Sequence, residues 1–218
     1  MRIPIHREGV PFIAIFIAVN ACLFWLSSVL GVLFLPLTLW CLAFFRDPER
    51  TPPPGDHLVI SPADGVLLPI VKAAPPEDLE LGSEPRPRLS IFMNVFDVHV
   101  NRMPIDGEIV ALSYRPGRFF NASFDKASVH NERMSARVRS NGSHDPEADL
   151  AVVQIAGLIA RRIVCSLKVG ERVRRGERYG MIRFGSRLDV YLPLSARIVI
   201  KEGSVTKAGV TVLAELQG

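Results

Sequence analysis

The sequence predicts a mainly β fold, of α+β class, with an apolar helical segment at its amino terminus. Three observations predict it. Residues 10–45 carry no charged side chain. Beyond residue 57 the chain breaks into short β-branched runs, such as "HLVISPADGVLLPIV" and "LAVVQIAGLIARRIVCSLKVG", punctuated by Gly, Pro and Asp. Between the two lies "RDPERTPPPGD", whose three consecutive prolines and flanking charges read as a stiff linker. The expected division is an anchor at 1–46, a linker at 47–57 and a compact, sandwich-barrel-like β domain at 58–218. A chain of 218 residues has room for one good core plus such an appendage.

The apolar segment has the composition of membrane-seeking chain. Its 36 residues would make a helix about 54 Å long, against a hydrocarbon core of roughly 30 Å. One straight span cannot use all of it. Two short helices turning near Ser27, Ser28 and Gly31 would, and a single span with a long flank is the alternative. Arg2 and Arg7 before the segment and Arg46 and Arg50 after it favour the cytoplasmic side at both ends. A signal peptide would be shorter and would end in a small-residue cleavage site, which "LGVLFLPLTLWCLAFFRDPER" does not offer. The expectation is a protein of the cell membrane whose β domain faces the cytoplasm.

Charge points to an anionic partner. Lys and Arg number 26 against 22 Asp and Glu, a net +4, and Arg172, Arg174, Arg175, Arg178, Arg183 and Arg187 lie close together. With an anchor present, an anionic membrane surface fits better than nucleic acid. Cys22, Cys41 and Cys165 have neither metal-ligand nor redox spacing, so reduced, packed thiols are expected.

Within the β region, only "NASFDKASVHNERMSARV" offers a helical turn, while "APPEDLELGSEPRPR" and "SNGSHDPEAD" read as exposed loops. "SPADGVLLPI", "MPIDGEIVAL" and "LPLSARIVIKEGSVTKAGVTV" form a weak internal echo of proline, small pair and strand. With "LKVGERVRRGERYGMI" they suggest hairpins like those of barrels that carry biotin or lipoate. No lysine sits at the matching turn, so the echo supports the fold and not a carrier role.

"MIRFGSRLDVYLP", residues 181–193, reads as strand except at Gly185-Ser186. A serine after glycine is mechanistically useful where it must attack the carbonyl of its own preceding peptide bond. Its hydroxyl can attack the preceding carbonyl, because glycine permits the dihedrals and clears the approach. The peptide becomes an ester, and β-elimination followed by hydrolysis leaves a pyruvoyl ketone able to accept electrons as pyridoxal phosphate does. That chemistry needs a base. His6 precedes the anchor, His57 lies in the linker and His144 in a polar loop, while His130 reads as a surface or packing residue. His99, in "SIFMNVFDVHVNRMP", alternates with Val98 and Val100 and stands close to a turn at Pro104, which puts it opposite apolar neighbours. Asp64 in "SPADGVL" is either an Asx turn opening a strand or the carboxylate that orients an imidazole.

In order behind an apolar anchor, "SPADG", "FDVHVNRMP", "DKAS" with "NER", and "FGSRLDVYLP" resemble the phosphatidylserine decarboxylase family, especially its compact prokaryotic branch. The resemblance covers nearly the whole chain. It implies self-cleavage between Gly185 and Ser186 into chains 1–185 and 186–218, a covalent pyruvoyl cofactor made from Ser186, and decarboxylation of phosphatidylserine to phosphatidylethanolamine through a Schiff base. It also implies processing and catalytic roles for Asp64 and His99, with Asp64 holding the imidazole that deprotonates Ser186. The implied partners are the phosphatidylserine substrate and an anionic membrane surface, with no metal, no dissociable cofactor and no nucleic acid. Homo-oligomerisation stays open.

Two departures stand out. Longer family members carry a second histidine three residues after the one matching His99, where this chain has Arg102, and the residue after the cleaved serine is often small and hydroxylic, where this chain has Arg187. The second departure bears on cleavage rate or headgroup contact. Two other readings share the same features: a non-catalytic, membrane-anchored, carrier-like adaptor, and a serine hydrolase using Ser186, His99 and Asp64. A hydrolase would normally place its serine on a strand-to-helix elbow, and the sequence here continues as strand.

Overall fold

The computed structural model describes residues 4–117, 131–141, 148–157, 162–183 and 185–216. Contacts divide the chain into two units, Met1–Glu49 with Phe96–Val98, and Arg50–Val95 with His99–Gly218.

The first unit is a pair of helices, α1 (Val10–Leu26) and α2 (Ser28–Phe44), interrupted at Ser27, which is extended with ψ 129°. The helices run antiparallel. Phe12 stacks on Phe45 with centroids 5.5 Å apart, and Phe16 on Phe34 at 5.8 Å. Asn20 Nδ2 donates to the Gly31 carbonyl at 3.0 Å, which satisfies an amide that apolar surroundings would otherwise strand. Gly31 is required there, because a Cβ would overlap the Phe24 ring. Outward side chains such as Trp25, Val29 and Leu33 are exposed. The stretch Arg7–Leu26 is long and apolar enough to cross a membrane, and α2 is shorter. Arg46 donates to the Phe96 carbonyl at 2.7 Å, joining residues 96–98 to this unit.

The second unit is built of strands. In its first half these are β1 (Leu58–Ile60), β2 (Gly65–Leu67), β3 (Val71–Ala73), β4 (Arg86–Met93), β5 (Val100–Arg102), β6 (Gly107–Arg115) and β7 (Arg133–Ser140). The second half adds β8 (Leu150–Ile155), β9 (Ile163–Cys165), β10 (Arg172–Val173), β11 (Arg178–Ile182), β12 (Ser186–Tyr191), β13 (Arg197–Ile198), β14 (Val205–Thr206) and β15 (Val212–Glu215). A nine-stranded antiparallel sheet in the order β10-β6-β7-β8-β12-β4-β2-β14, with β3 also on β4, curls into a half-barrel. Two three-stranded sheets, β1-β15-β13 and β5-β11-β9, accompany it.

Period-two alternation gives the large sheet two different faces. Leu188 and Val190 of β12 join Leu89, Ile91 and Met93 of β4 in the main core. Tyr191 joins Ala151, Val153 and Ile155 in a smaller cluster on the other face. That second face is covered by Leu79 and Leu81, so the stretch read as an exposed loop at 74–88 is partly buried. Two leucines amid polar residues were enough to seal an apolar face, at roughly 25 cal/mol per Å² removed from water.

The expected hairpins are also rearranged. Strand β10 pairs with β6, and β11 with β5 and β9; β13 pairs with β15, and β14 with β2. The tight turns reverse the chain, but strands of two to five residues find distant partners. The echoed Asp-Gly pairs have a packing reason instead: a Cβ on Gly65 or Gly107 would overlap the carbonyl of Phe92 or Arg139 on the neighbouring strand. The proposed helical turn in 121–138 falls partly outside the described residues, and its remainder is β7.

Candidate active site

Between Ile182 and Ser186 the chain leaves a small sheet and enters the centre of the large one, since β11 lies between β5 and β9 and β12 between β4 and β8. Gly185 stands at that crossing with φ +59°, and among the described residues a Cβ there would meet nothing within 4 Å. The requirement is for left-handed backbone and not for room. Ser186 then opens β12 opposite Met93, fully buried, with its Oγ 4.0 Å from Met93 Sδ.

His99 is also fully buried and immediately precedes β5. Val100 pairs with Met181, so the antiparallel register carries His99 toward the end of β11 that leads into the 183–185 crossing. Asn101 lies two residues on, on the same side of the strand. Its Nδ2 donates to Met93 Sδ at 3.7 Å. Met93 therefore touches both Ser186 and the face of β5 that His99 shares.

Asp64 is held by Arg50 and by the backbone of Ala208. Both carboxylate oxygens accept from Arg50, with Nη2 to Oδ2 at 2.8 Å and Nη1 to Oδ1, and Oδ1 also accepts from the Ala208 N–H at 2.7 Å. Arg50 Nη1 donates further to the Ala208 carbonyl at 2.9 Å. The Asp64 loop is tied to β5 through its backbone, because Arg102 N donates to the Pro62 carbonyl at 2.9 Å. Arg102 is buried and donates from Nη1 to the Gly176 carbonyl at 3.0 Å.

Two of the remaining histidines are described. His6 accepts from Glu8 N, His57 is exposed, and His130 and His144 fall outside the described residues. The arginine cluster does not act as one patch. Arg172 and Arg174 are exposed, Arg175 donates to the Gly55 and Leu58 carbonyls, and Arg187 is buried in an ion pair with Asp189 at 2.8 Å. Arg187 lies on the sheet face opposite Ser186, so its guanidinium serves Asp189 and not the hydroxyl. That second face holds a cavity of about 320 Å³ lined in part by Arg88, Arg115, Arg133, Asp189 and Tyr191. Burial, then the nearby Asp189 charge, pushes the Tyr191 phenol up against the pull of Arg88 and Arg187.

Three residues near these groups escaped the reading of the sequence: Arg50, Asn101 and Gln154. Gln154 Nε2 donates to Asn101 Oδ1 at 2.8 Å. A lone amide in "AVVQIAG" and alternation from His99 to Asn101 were the available signals.

A buried serine after a left-handed glycine, with a buried imidazole just before β5, the strand paired with β11, gives this mainly β chain the outline of an enzyme. The family model for phosphatidylserine decarboxylase matches residues 37–214. Proteins named phosphatidylserine decarboxylase proenzyme are similar over almost the whole chain. The one from Cereibacter sphaeroides is 53% identical over 213 residues, covering 98% of this chain and 90% of its own. Those from Ruegeria pomeroyi and Rickettsia akari are each 51% identical, covering 98% and 97% of this chain and 96% and 90% of theirs. The chain belongs to the phosphatidylserine decarboxylase family.

Proposed function

We propose that this chain decarboxylates phosphatidylserine to phosphatidylethanolamine with a pyruvoyl group made from its own Ser186. The observation that carries the proposal is the Gly185-Ser186 junction, left-handed at the glycine and enclosed at the serine. The relatives' name of proenzyme suits a chain that must be cut before it works.

Maturation begins when His99 takes the Ser186 hydroxyl proton and Oγ attacks the Gly185 carbonyl carbon. The C–N bond breaks and an ester joins the two segments. Loss of the α-proton of residue 186 then expels the Gly185 carboxylate, and water releases ammonia from the dehydroalanine to leave the ketone. Asp64 acts from the loop bonded to β5, where Arg50 and Ala208 hold it, and so steadies the strand that leads back to His99.

The residues present fit such a group, because the side chain of residue 186 is shut away from water beside the Met93 thioether. Such a ketone would condense with the headgroup amine, releasing water, and would then supply the sink for the electron pair that departing carbon dioxide leaves behind. His99 then donates a proton to the carbon that lost it. The helical pair keeps the protein at the bilayer with its β domain on the cytoplasmic side, which confines a two-tailed substrate near the site.

The hydrolase reading is less well supported, since Ser186 opens a central strand and not a strand-to-helix elbow. Denaturing electrophoresis with intact mass, beside carbon dioxide release from phosphatidylserine vesicles, tests the proposal. Active protein should consist of two fragments divided before residue 186, and Ser186→Ala should be intact and inactive. Active protein with an unbroken chain would overturn it.

A further inference from the structure

Gln154 lies on β8 opposite Leu188, on the inner face that Ser186 shares two residues earlier. Its amide is oriented by the backbone. Nε2 donates to the Val164 carbonyl at 3.4 Å and to Asn101 Oδ1 at 2.8 Å, and a Cβ on Gly180 would lie 2.9 Å from that nitrogen. The orientation of Gln154 fixes that of Asn101, whose Nδ2 must then point at the Met93 thioether. Among the described residues the pair is left with two unspent valences. Gln154 Oε1 is buried with no hydrogen-bond donor, and Asn101 Nδ2 donates to a sulfur, a weak acceptor.

Buried amides normally find full partners, and a buried acceptor without one carries an uncompensated desolvation cost. An orphan acceptor and an underused donor on two hydrogen-bonded side chains are complementary to a ligand that has one of each. An α-amino acid head does, with an ammonium and a carboxylate on one carbon. The Met93 side chain, unbranched and adaptable, fills the space between this pair and Ser186 and can give way to such a head.

We propose that Asn101 and Gln154 read the serine head of the lipid, Asn101 Nδ2 donating to its carboxylate and Gln154 Oε1 accepting from its ammonium. This rests on the function proposed above. The two parts make separate demands on the product, which keeps the amine and lacks the carboxylate.

The test uses the full-length protein in detergent micelles. Three quantities are read for wild type and Asn101→Ala: the cleaved fraction, the KM for phosphatidylserine, and the calorimetric Kd for phosphatidylethanolamine. Asn101→Ala should cleave fully, raise KM about tenfold to a hundredfold and leave the product Kd unchanged. Gln154→Met should weaken both lipids. If Asn101→Ala does not fold, Asn101→Ser poses the same question. Unchanged KM, or equal shifts for substrate and product, would overturn the assignment, as would a folded variant that stays uncut, since the pair would then serve maturation. Wild type that neither cleaves nor releases carbon dioxide would sink the underlying function instead.

Discussion

Arg50 clasps the Asp64 carboxylate through both guanidinium nitrogens, fourteen residues apart in sequence, while the Ala208 N–H takes one of the same oxygens. A forked cation matches a carboxylate in a way that a lysine ammonium cannot. The pair is mostly buried, with side-chain exposures of 11% and 12%, so removing one partner leaves the other short of solvent and of charge.

Arg50→Ala should therefore destabilise the β domain by about 2 kcal/mol and slow self-cleavage, with Arg50→Lys falling between it and wild type. Added guanidinium should restore part of the cleavage rate of the alanine variant. A time course on gels, with and without guanidinium, reads this. Cleavage at the wild-type pace in a destabilised Arg50→Ala protein would limit the arginine to a structural role.

At Gly185 the geometry separates two reasons for glycine. No described residue crowds its missing side chain, but φ is +59°, where an L-residue costs roughly 1–2 kcal/mol. Gly185→Ala should slow cleavage by about five- to thirtyfold without abolishing it, and Gly185→Asn should be less impaired because asparagine tolerates this region better. Cleavage rates measured by intact mass should rank Gly, Asn, Ala. Equal rates for all three would show that the left-handed dihedral is dispensable.

Much of this was legible in the sequence, for identifiable reasons. The uncharged run and its break near Ser27 follow from composition and length, and the strands follow from β-branched runs between turn residues. Gly185-Ser186 stood out because neither residue suits a packed strand. Strand partners were not legible, because two-residue strands such as β10 and β14 carry no period to fix a register. Nor was Arg50, read as linker charge: its partner lies across a turn that local patterns do not describe. Arg187 misled for another reason. Proximity to Ser186 in sequence means the opposite face in a strand.

Asp189 makes a measurable claim about that opposite face. It pairs with Arg187 at 2.8 Å and approaches Arg88 at 3.9 Å, fully buried. Arg187→Met removes its nearer guanidinium and should cost about 3 kcal/mol, whereas Asp189→Asn takes the buried negative charge from both arginines and should cost more, toward 5 kcal/mol. Denaturant unfolding in detergent gives both values. Cleavage of folded Arg187→Met should proceed at the wild-type rate, and a slow but fully stable variant would place the guanidinium in the reaction after all.

Asp78, in the short turn that covers the same face, sets an acid limit on stability. Burial raises its pKa, but the Ser113 hydroxyl, its own backbone N–H, Arg133 and Arg115 together pull it below the ordinary carboxylate range. A folded pKa below the unfolded one means that the unfolded chain binds the proton more readily. The stabilisation is therefore complete above the ordinary carboxylate range and disappears as pH falls through the depressed folded value. Part of the group meets solvent, which limits the effect to about 0.5 kcal/mol. Urea midpoints for wild type should fall more steeply with acidification than those of Asp78→Asn, and the two should converge in strong acid. Parallel acid losses in both proteins would show that the turn does not depend on this carboxylate.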